Sequence, residues 1–179
     1  MINPKDTVVL FIDFQEKLMP SIWEREEIER KVCSLARGTR ILELAVLVTR
    51  QYPKGLGDTI TELRDALGHH DCTDKTAFSC LGEPEFVKKL ELAGKKNVLI
   101  AGVETHICVQ QTVLDLLARG MNVYLAADCC GSRRERDQLL AEKRMAGAGA
   151  VVTTMESVLF EMMGDANHPS RKAVSALIK

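Results

Sequence analysis

Short apolar, β-branched runs alternate along this chain with stretches whose apolar residues recur at helical spacing. That alternation leaves few folds open. Thr7–Ile12 reads as a buried strand, and residues 25–44 carry Ile28, Val32, Leu35, Ala36, Ile41 and Leu42 at near-helical intervals. Further strands fall at 45–49, 71–75, 98–102, 122–126 and 150–153. Between them lie helical patterns at 60–67, 83–92 and 134–146, and one from Ile107 through Val113, Leu114, Leu116 and Leu117. A last helical stretch begins at Glu156 and breaks around 164–169, while Pro53, Gly55 and Gly57 make 51–58 a loop. Strands alternating with helices predict an α/β chain with a mostly parallel sheet and helices on both faces. Right-handed crossovers then bring every strand's carboxyl end to one edge.

Several functions are disfavoured before any motif is read. The formal charge is −1 and aromatic residues make up 4% of the chain, so a nucleic-acid partner is not expected. No apolar run reaches the roughly 18 residues a membrane span needs. The N-terminal residues lack a basic segment followed by an apolar one. The six cysteines, Cys33, Cys72, Cys80, Cys108, Cys129 and Cys130, show no CxxC spacing, which argues for reduced thiols and against a zinc centre. The expectation is one domain over 1–179, cytoplasmic, with no cofactor, no metal, no nucleic acid and no membrane partner.

The shared edge gathers usable chemistry. Asp13, Phe14 and Gln15 follow the first strand, and Arg50, Gln51 and Tyr52 the second. Lys75 ends the third, with Thr76 and Phe78 behind it. Glu104, Thr105, His106 and Cys108 follow the fourth, and Asp128, Cys129 and Cys130 the fifth. Cys108 sits at a helix start, where free N–H groups and positive potential favour a thiolate, so a lowered pKa is expected for it. A carboxylate at Asp13 can accept the thiol proton, and an ammonium at Lys75 can stabilise the anion. Each residue also has a plain alternative: Asp13 as a turn residue, Lys75 as a solvated lysine, Cys108 as an inert packing residue.

The motifs at these positions resemble the isochorismatase-like cysteine hydrolases. Asp13 and Gln15 resemble that family's D-x-Q motif. The segment from Lys75 to Ser79 resembles its K-x-x-x-S/F segment. Gly102, Thr105, Cys108 and Val109 resemble its G-x-x-T-x-x-C-V motif closely. The loop from Thr49 to Gly57 resembles the metal-free branch, and the likeness runs along almost the whole chain in order. The resemblance implies a Rossmann-like three-layer α/β/α sandwich with a six-stranded, mostly parallel sheet. It implies Cys108 as nucleophile on a small amide, Asp13 as proton acceptor and donor, and Lys75 as stabiliser of the thiolate. It further implies a cis bond at Val103–Glu104 that helps form an oxyanion hole with the Cys108 N–H, and a thioester intermediate that water hydrolyses.

Departures from the family narrow the substrate. The D-x-H-type metal motif of nicotinamidases is replaced by Arg50, Gln51, Tyr52 and Pro53, which puts a metal and nicotinamide in doubt. Isochorismate hydrolases cleave an enol ether without a cysteine at the matching place, so Cys108 argues against that reaction. A binding or thiol-sensing protein that keeps the fold remains an alternative. Phe14, Gln15, Tyr52, Phe78 and Thr105 are candidates for a pocket around a small substrate, with Thr105 equally suited to cap the turn. Arg50 is the candidate anion receptor, His106 a lesser candidate base, Asp128 and Ser132 candidate turn formers. Cys129 and Cys130 read as structural rather than as a redox pair. Apolar bulk at Met19, Ile22, Trp23, Met155, Val158, Leu159, Phe160, Met162 and Met163 predicts a homo-oligomer, with a two-fold dimer as the minimal unit.

Overall fold

The computed structural model of the protein describes residues 1–178. Six parallel strands form one sheet in the order β3-β2-β1-β4-β5-β6. These are β1 (Thr7–Ile12), β2 (Ala45–Gln51), β3 (Cys72–Lys75), β4 (Asn97–Val103), β5 (Asn122–Gly131) and β6 (Val151–Thr153). The helices are α1 (Arg25–Ile41), α2 (Pro53–Leu56), α3 (Thr61–Leu67), α4 (Pro84–Ala93), α5 (Gln110–Ala118), α6 (Glu135–Ala148), α7 (Met155–Met163) and α8 (Arg171–Ala176).

The central strands β1 and β4 are buried at every residue, as expected of strands covered on both faces. Their side chains alternate between two cores. Val9, Phe11, Leu99 and Ala101 pack with Ile28, Val32 and Leu35 of α1, Leu63 of α3, and Val158 and Leu159 of α7. Val8, Leu10, Val98 and Ile100 pack on the opposite face with Phe86 and Leu90 of α4, Val113 and Leu116 of α5, and Met145 of α6. The result is the three-layer α/β/α sandwich. Fully burying such a side chain contributes roughly 1.5–3 kcal/mol, so this double core carries most of the stability.

Four local differences from the sequence pattern have identifiable causes. The first helix stops at Ile41, because Glu43 takes a left-handed φ of 54° that turns the chain into β2. β2 runs two residues further than its apolar run, so Arg50 and Gln51 lie within the strand, paired with Asp74 and Lys75. Residues 53–56 of the expected loop form the helical turn α2, with Pro53 at its first position. β5 extends to Gly131, because the register against β4 shifts between Ile100 and Gly102; Cys130 then pairs with Gly102.

That extension settles what the adjacent cysteines do. Successive strand residues face opposite sides, so Cys129 enters the α1 core and Cys130 the α5 core. Asp128 and Ser132 do not form the expected turn. Asp128 accepts from the Met155 N–H at 2.7 Å, and Ser132 Oγ meets His106 Nδ1 at 2.9 Å. Met19, Ile22, Met155, Val158, Leu159, Met162 and Met163 are buried in their own subunit's core instead of exposed. The reason is that α7 is amphipathic and lays one face on α1, where Leu159 fills the space a Gly38 side chain would need.

At the carboxyl end of the central strands the backbones run close. A Cβ on Gly102 would lie 2.6 Å from Ile12 Cβ and 2.8 Å from Val109 Cγ2, so only glycine lets β1, β4 and the following turn converge there.

Burial also sets the thiols. It pushes Cys80 up to about 11 and raises Cys129 and Cys130 as well. A thiol whose folded pKa lies above its unfolded value costs stability once the unfolded chain ionises, from about pH 8.5 upward. The expected loss is up to about 1.4 kcal/mol per pH unit for each such thiol. Urea midpoints are therefore expected to fall steeply between pH 8 and pH 10, whereas a flat profile would contradict this packing.

Candidate active site

Strand order reverses between β1 and β4, and such a switch point leaves a crevice at the carboxyl ends of the sheet. Asp13 follows β1 and Cys108 follows β4, so the two flank that crevice. Asp13 holds a left-handed φ of 57°, a conformation Asp tolerates better than most residues. Its backbone N–H donates to the Thr49 carbonyl at 3.1 Å, which fixes the turn against β2.

Both oxygens of the Asp13 carboxylate accept hydrogen bonds. Thr49 Oγ1 donates to Oδ1 at 2.8 Å, and Lys75 Nζ donates to Oδ2 at 2.7 Å. Lys75 is the last residue of β3, two strands from β1, and its side chain spans β2 to reach Asp13. Both side chains of the pair are fully buried. The ammonium also donates to Gln51 Oε1 at 2.6 Å and to the Phe78 and Ala77 carbonyls at 3.1 and 3.3 Å. A buried ion needs such a complete set of partners, because desolvation costs several kcal/mol per charge. Burial pulls the Lys75 pKa down, but the charge of the Asp13 carboxylate and its hydrogen bond to the ammonium outweigh it and hold it above the usual lysine value.

Cys108 lies in a π-helical turn, Thr105–Val109, that precedes α5. Its carbonyl accepts from Thr112 Oγ1 at 2.7 Å, and Thr112 Oγ1 accepts from the Cys80 N–H at 3.0 Å. Here the sequence expectation of a low pKa is corrected. Burial first, then the Asp13 charge, push the Cys108 thiol up to about 12, against the opposing pull of Lys75. The resting state is an Asp13–Lys75 ion pair facing a neutral thiol.

The other candidates divide. Tyr52 and Phe78 are 55% and 54% exposed, and each meets Lys75 through its backbone. The Tyr52 N–H donates to the Lys75 carbonyl at 2.9 Å. Phe14 is in the core and lines no rim, since the chain turns inward after Asp13. Gln15 is buried and faces the backbone rather than a pocket. Its amide donates to the Gln51 and Gly57 carbonyls at 3.0 and 2.8 Å and accepts from the Gln51 N–H at 2.7 Å. Thr105 Oγ1 is sealed from solvent and makes no hydrogen bond among the described residues, so it neither caps the turn nor lines an open pocket. The Val103–Glu104 peptide bond is cis. Glu104 Oε2 accepts from Arg133 Nε at 2.9 Å and from the Arg133 N–H at 3.1 Å. Arg50 is no free anion receptor, being bound to Asp74 and Asp58 at 2.7 Å each.

Sequence reasoning missed Thr49 and Gln51 as partners of the ion pair. The signal was available in the strand register: Gln51 pairs with Lys75, and Thr49 with Ile12, the residue before Asp13.

A family model described as the isochorismatase domain matches residues 7–157. Isochorismatase domain-containing protein 1 of Salmo salar is 43% identical over 176 residues, which cover 98% of this chain and 62% of that protein. The chain thus spans less than two thirds of that relative's length. A structure of MAR1 ribonuclease from Caenorhabditis elegans superposes with a TM-score of 0.93 at 39% identity, covering 99% of this chain and 91% of that one. The YcaC gene product of Escherichia coli, described as an octameric hydrolase of unknown specificity, superposes at 0.89 with 26% identity, covering 98% and 86%.

The electrostatics make a direct prediction. Asp13→Asn removes the carboxylate that holds the Cys108 proton and leaves Lys75 beside the sulfur. The pH midpoint for iodoacetamide labelling of Cys108, mapped by mass spectrometry, is expected to drop by at least one unit. An unchanged or higher midpoint would contradict the charge arrangement.

Proposed function

The chain belongs to the isochorismatase domain family and has the fold of that family's hydrolases; on that premise we propose that it is a cysteine hydrolase of small amides. The observation that carries this reading is the buried Asp13–Lys75 pair at 2.7 Å facing the Cys108 thiol. With its pKa pushed up to about 12, the Cys108 thiol is protonated at pH 7, so it requires a base at the moment of reaction. Asp13 is that base. It takes the Sγ proton as sulfur attacks the substrate's carbonyl carbon and forms the C–S bond. Lys75 stays charged and keeps Asp13 aimed. The oxyanion rests on the Cys108 backbone N–H, beside the cis Val103–Glu104 bond. As the C–N bond breaks, the departing amine takes the proton back from Asp13. Water then attacks the thioester, gives its proton to Asp13, and the released thiol regains it.

A thiol sensor would need a low-pKa sulfur, and the neutral, buried Cys108 weighs against that reading. The ribonuclease name belongs to the C. elegans neighbour. In this chain the Asp13–Lys75–Cys108 centre is a cysteine nucleophile's apparatus, which favours acyl transfer. No metal enters the proposal, because Arg50 and Gln51 are committed to Asp58, Asp74, Lys75 and Thr76. One domain and a cytoplasmic setting complete it. Trp23, Leu139, Leu140, Val151, Val152 and Phe160 expose apolar surface, and together with the octameric E. coli neighbour they support a homo-oligomer.

A panel of primary carboxamides, read by ammonia release with hydroxylamine present to trap the thioester, tests the mechanism. Turnover and hydroxamate formation are expected, and Cys108→Ala should lose at least about a thousandfold in kcat. Turnover that survives Cys108→Ala would refute the role of the thiol.

A further inference from the structure

The Lys75 ammonium has three protons to give, and the site uses all of them. One goes to Asp13 Oδ2 at 2.7 Å and one to Gln51 Oε1 at 2.6 Å. The third is shared between the Phe78 and Ala77 carbonyls at 3.1 and 3.3 Å. None is left for Cys108, so the ammonium reaches the sulfur by its charge alone. The titratable groups that face this charge are Asp13, Cys80 and Cys108. Gln51 is the one neutral side chain among the partners, and it is held at three points. Its Nε2 donates to the Thr76 carbonyl at 2.7 Å, and its backbone N–H donates to Gln15 Oε1 at 2.7 Å. An ammonium needs the oxygen end of the amide and a carbonyl needs the nitrogen end, so the amide has one working orientation. The pairing of Gln51 with Lys75 across β2 and β3 keeps the two in register.

We infer that Gln51 is a positioning residue acting through Lys75: it takes the ammonium proton that the sulfur would otherwise attract, and so keeps Lys75 committed to Asp13 and the proton transfer on Asp13. Cys108 Sγ lies beside both members of the ion pair, and sulfur can accept a hydrogen bond. An apolar side chain at position 51 would leave one ammonium N–H unmatched, and the sulfur would become its outlet. A carboxylate there would divide the ammonium between two anions and add negative charge near the thiol. The two changes therefore push the thiol in opposite directions, which a loss of packing would not do. Gln51 is only half-buried, so replacing it does not cut a cavity into the core. The hold on Lys75 stands on the hydrogen bonds; its consequence for turnover rests on the cysteine-hydrolase reading.

The test uses Gln51→Met, close to glutamine in size but without the oxygen, and Gln51→Glu, which keeps an oxygen for Lys75 at the expense of the Thr76 bond. Iodoacetamide labelling of Cys108 at pH 8.5 is followed by peptide mass spectrometry, with N-acetylcysteine in the same tube as reference. Gln51→Met is expected to label at least threefold faster than the wild type and Gln51→Glu at least threefold slower. Unchanged rates, or shifts of the same sign, would overturn the inference. Urea midpoints check that both variants fold, and if Gln51→Met does not, the Gln51→Glu rate alone decides. On a primary carboxamide that the wild type hydrolyses, Gln51→Met is expected to lose at least tenfold in kcat with KM within twofold. The variant thus labels faster yet turns over more slowly, and an undiminished kcat would overturn the positioning role. Opposite labelling shifts with no carboxamide turned over by the wild type refute the hydrolase reading and leave the hold on Lys75 standing.

Discussion

One buried ion pair, Asp13 with Lys75, organises the working end of this sheet. Neither charge touches water, and their side chains come from strands two places apart. Such a pair persists only when the remaining lone pairs and protons are also satisfied. Thr49, Gln51 and the Ala77 and Phe78 carbonyls do that, and Gln15 in turn clamps the backbone around Gln51. The left-handed backbone at Asp13, the extension of β2 to Gln51 and the path of the chain after Lys75 all follow from keeping this network closed.

The same pair dictates how the thiol can work. Lys75 beside Cys108 favours a thiolate, but burial first, and then the Asp13 charge, keep the proton on the sulfur. On the proposed reading, the nucleophile is therefore generated only where a substrate accepts the sulfur's electrons and Asp13 takes the proton. A neutral resting thiol also resists adventitious oxidation and alkylation, since both begin at the thiolate.

Much of this was legible in the sequence because hydrophobic periodicity reports burial directly. Thr7–Ile12 and the run ending at Gly102 are apolar throughout, since central parallel strands are covered on both faces. The order of strands and helices then places Asp13, Lys75 and Cys108 at one edge. What stayed hidden depends on pairing rather than periodicity. Gln51 and Thr49 matter because of their register against Lys75 and Ile12, which no single strand encodes. Arg50 reads as a free cation until Asp58 and Asp74 are brought beside it. The expected low Cys108 pKa considered the helix start and Lys75, whereas burial and Asp13 dominate. Phe14 was misplaced because the residue after a strand can turn into the core as readily as toward the rim.

The dependence of the fold's edge on this pair is measured most directly by a double-mutant cycle on stability. Urea unfolding of the wild type, Asp13→Asn, Lys75→Met and the double variant separates the pair's coupling from the cost of each change. Each single variant is expected to lose about 3–5 kcal/mol by leaving one buried group unmatched, with the double variant losing clearly less than the two together. Additive losses, or single losses under about 1 kcal/mol, would contradict the account.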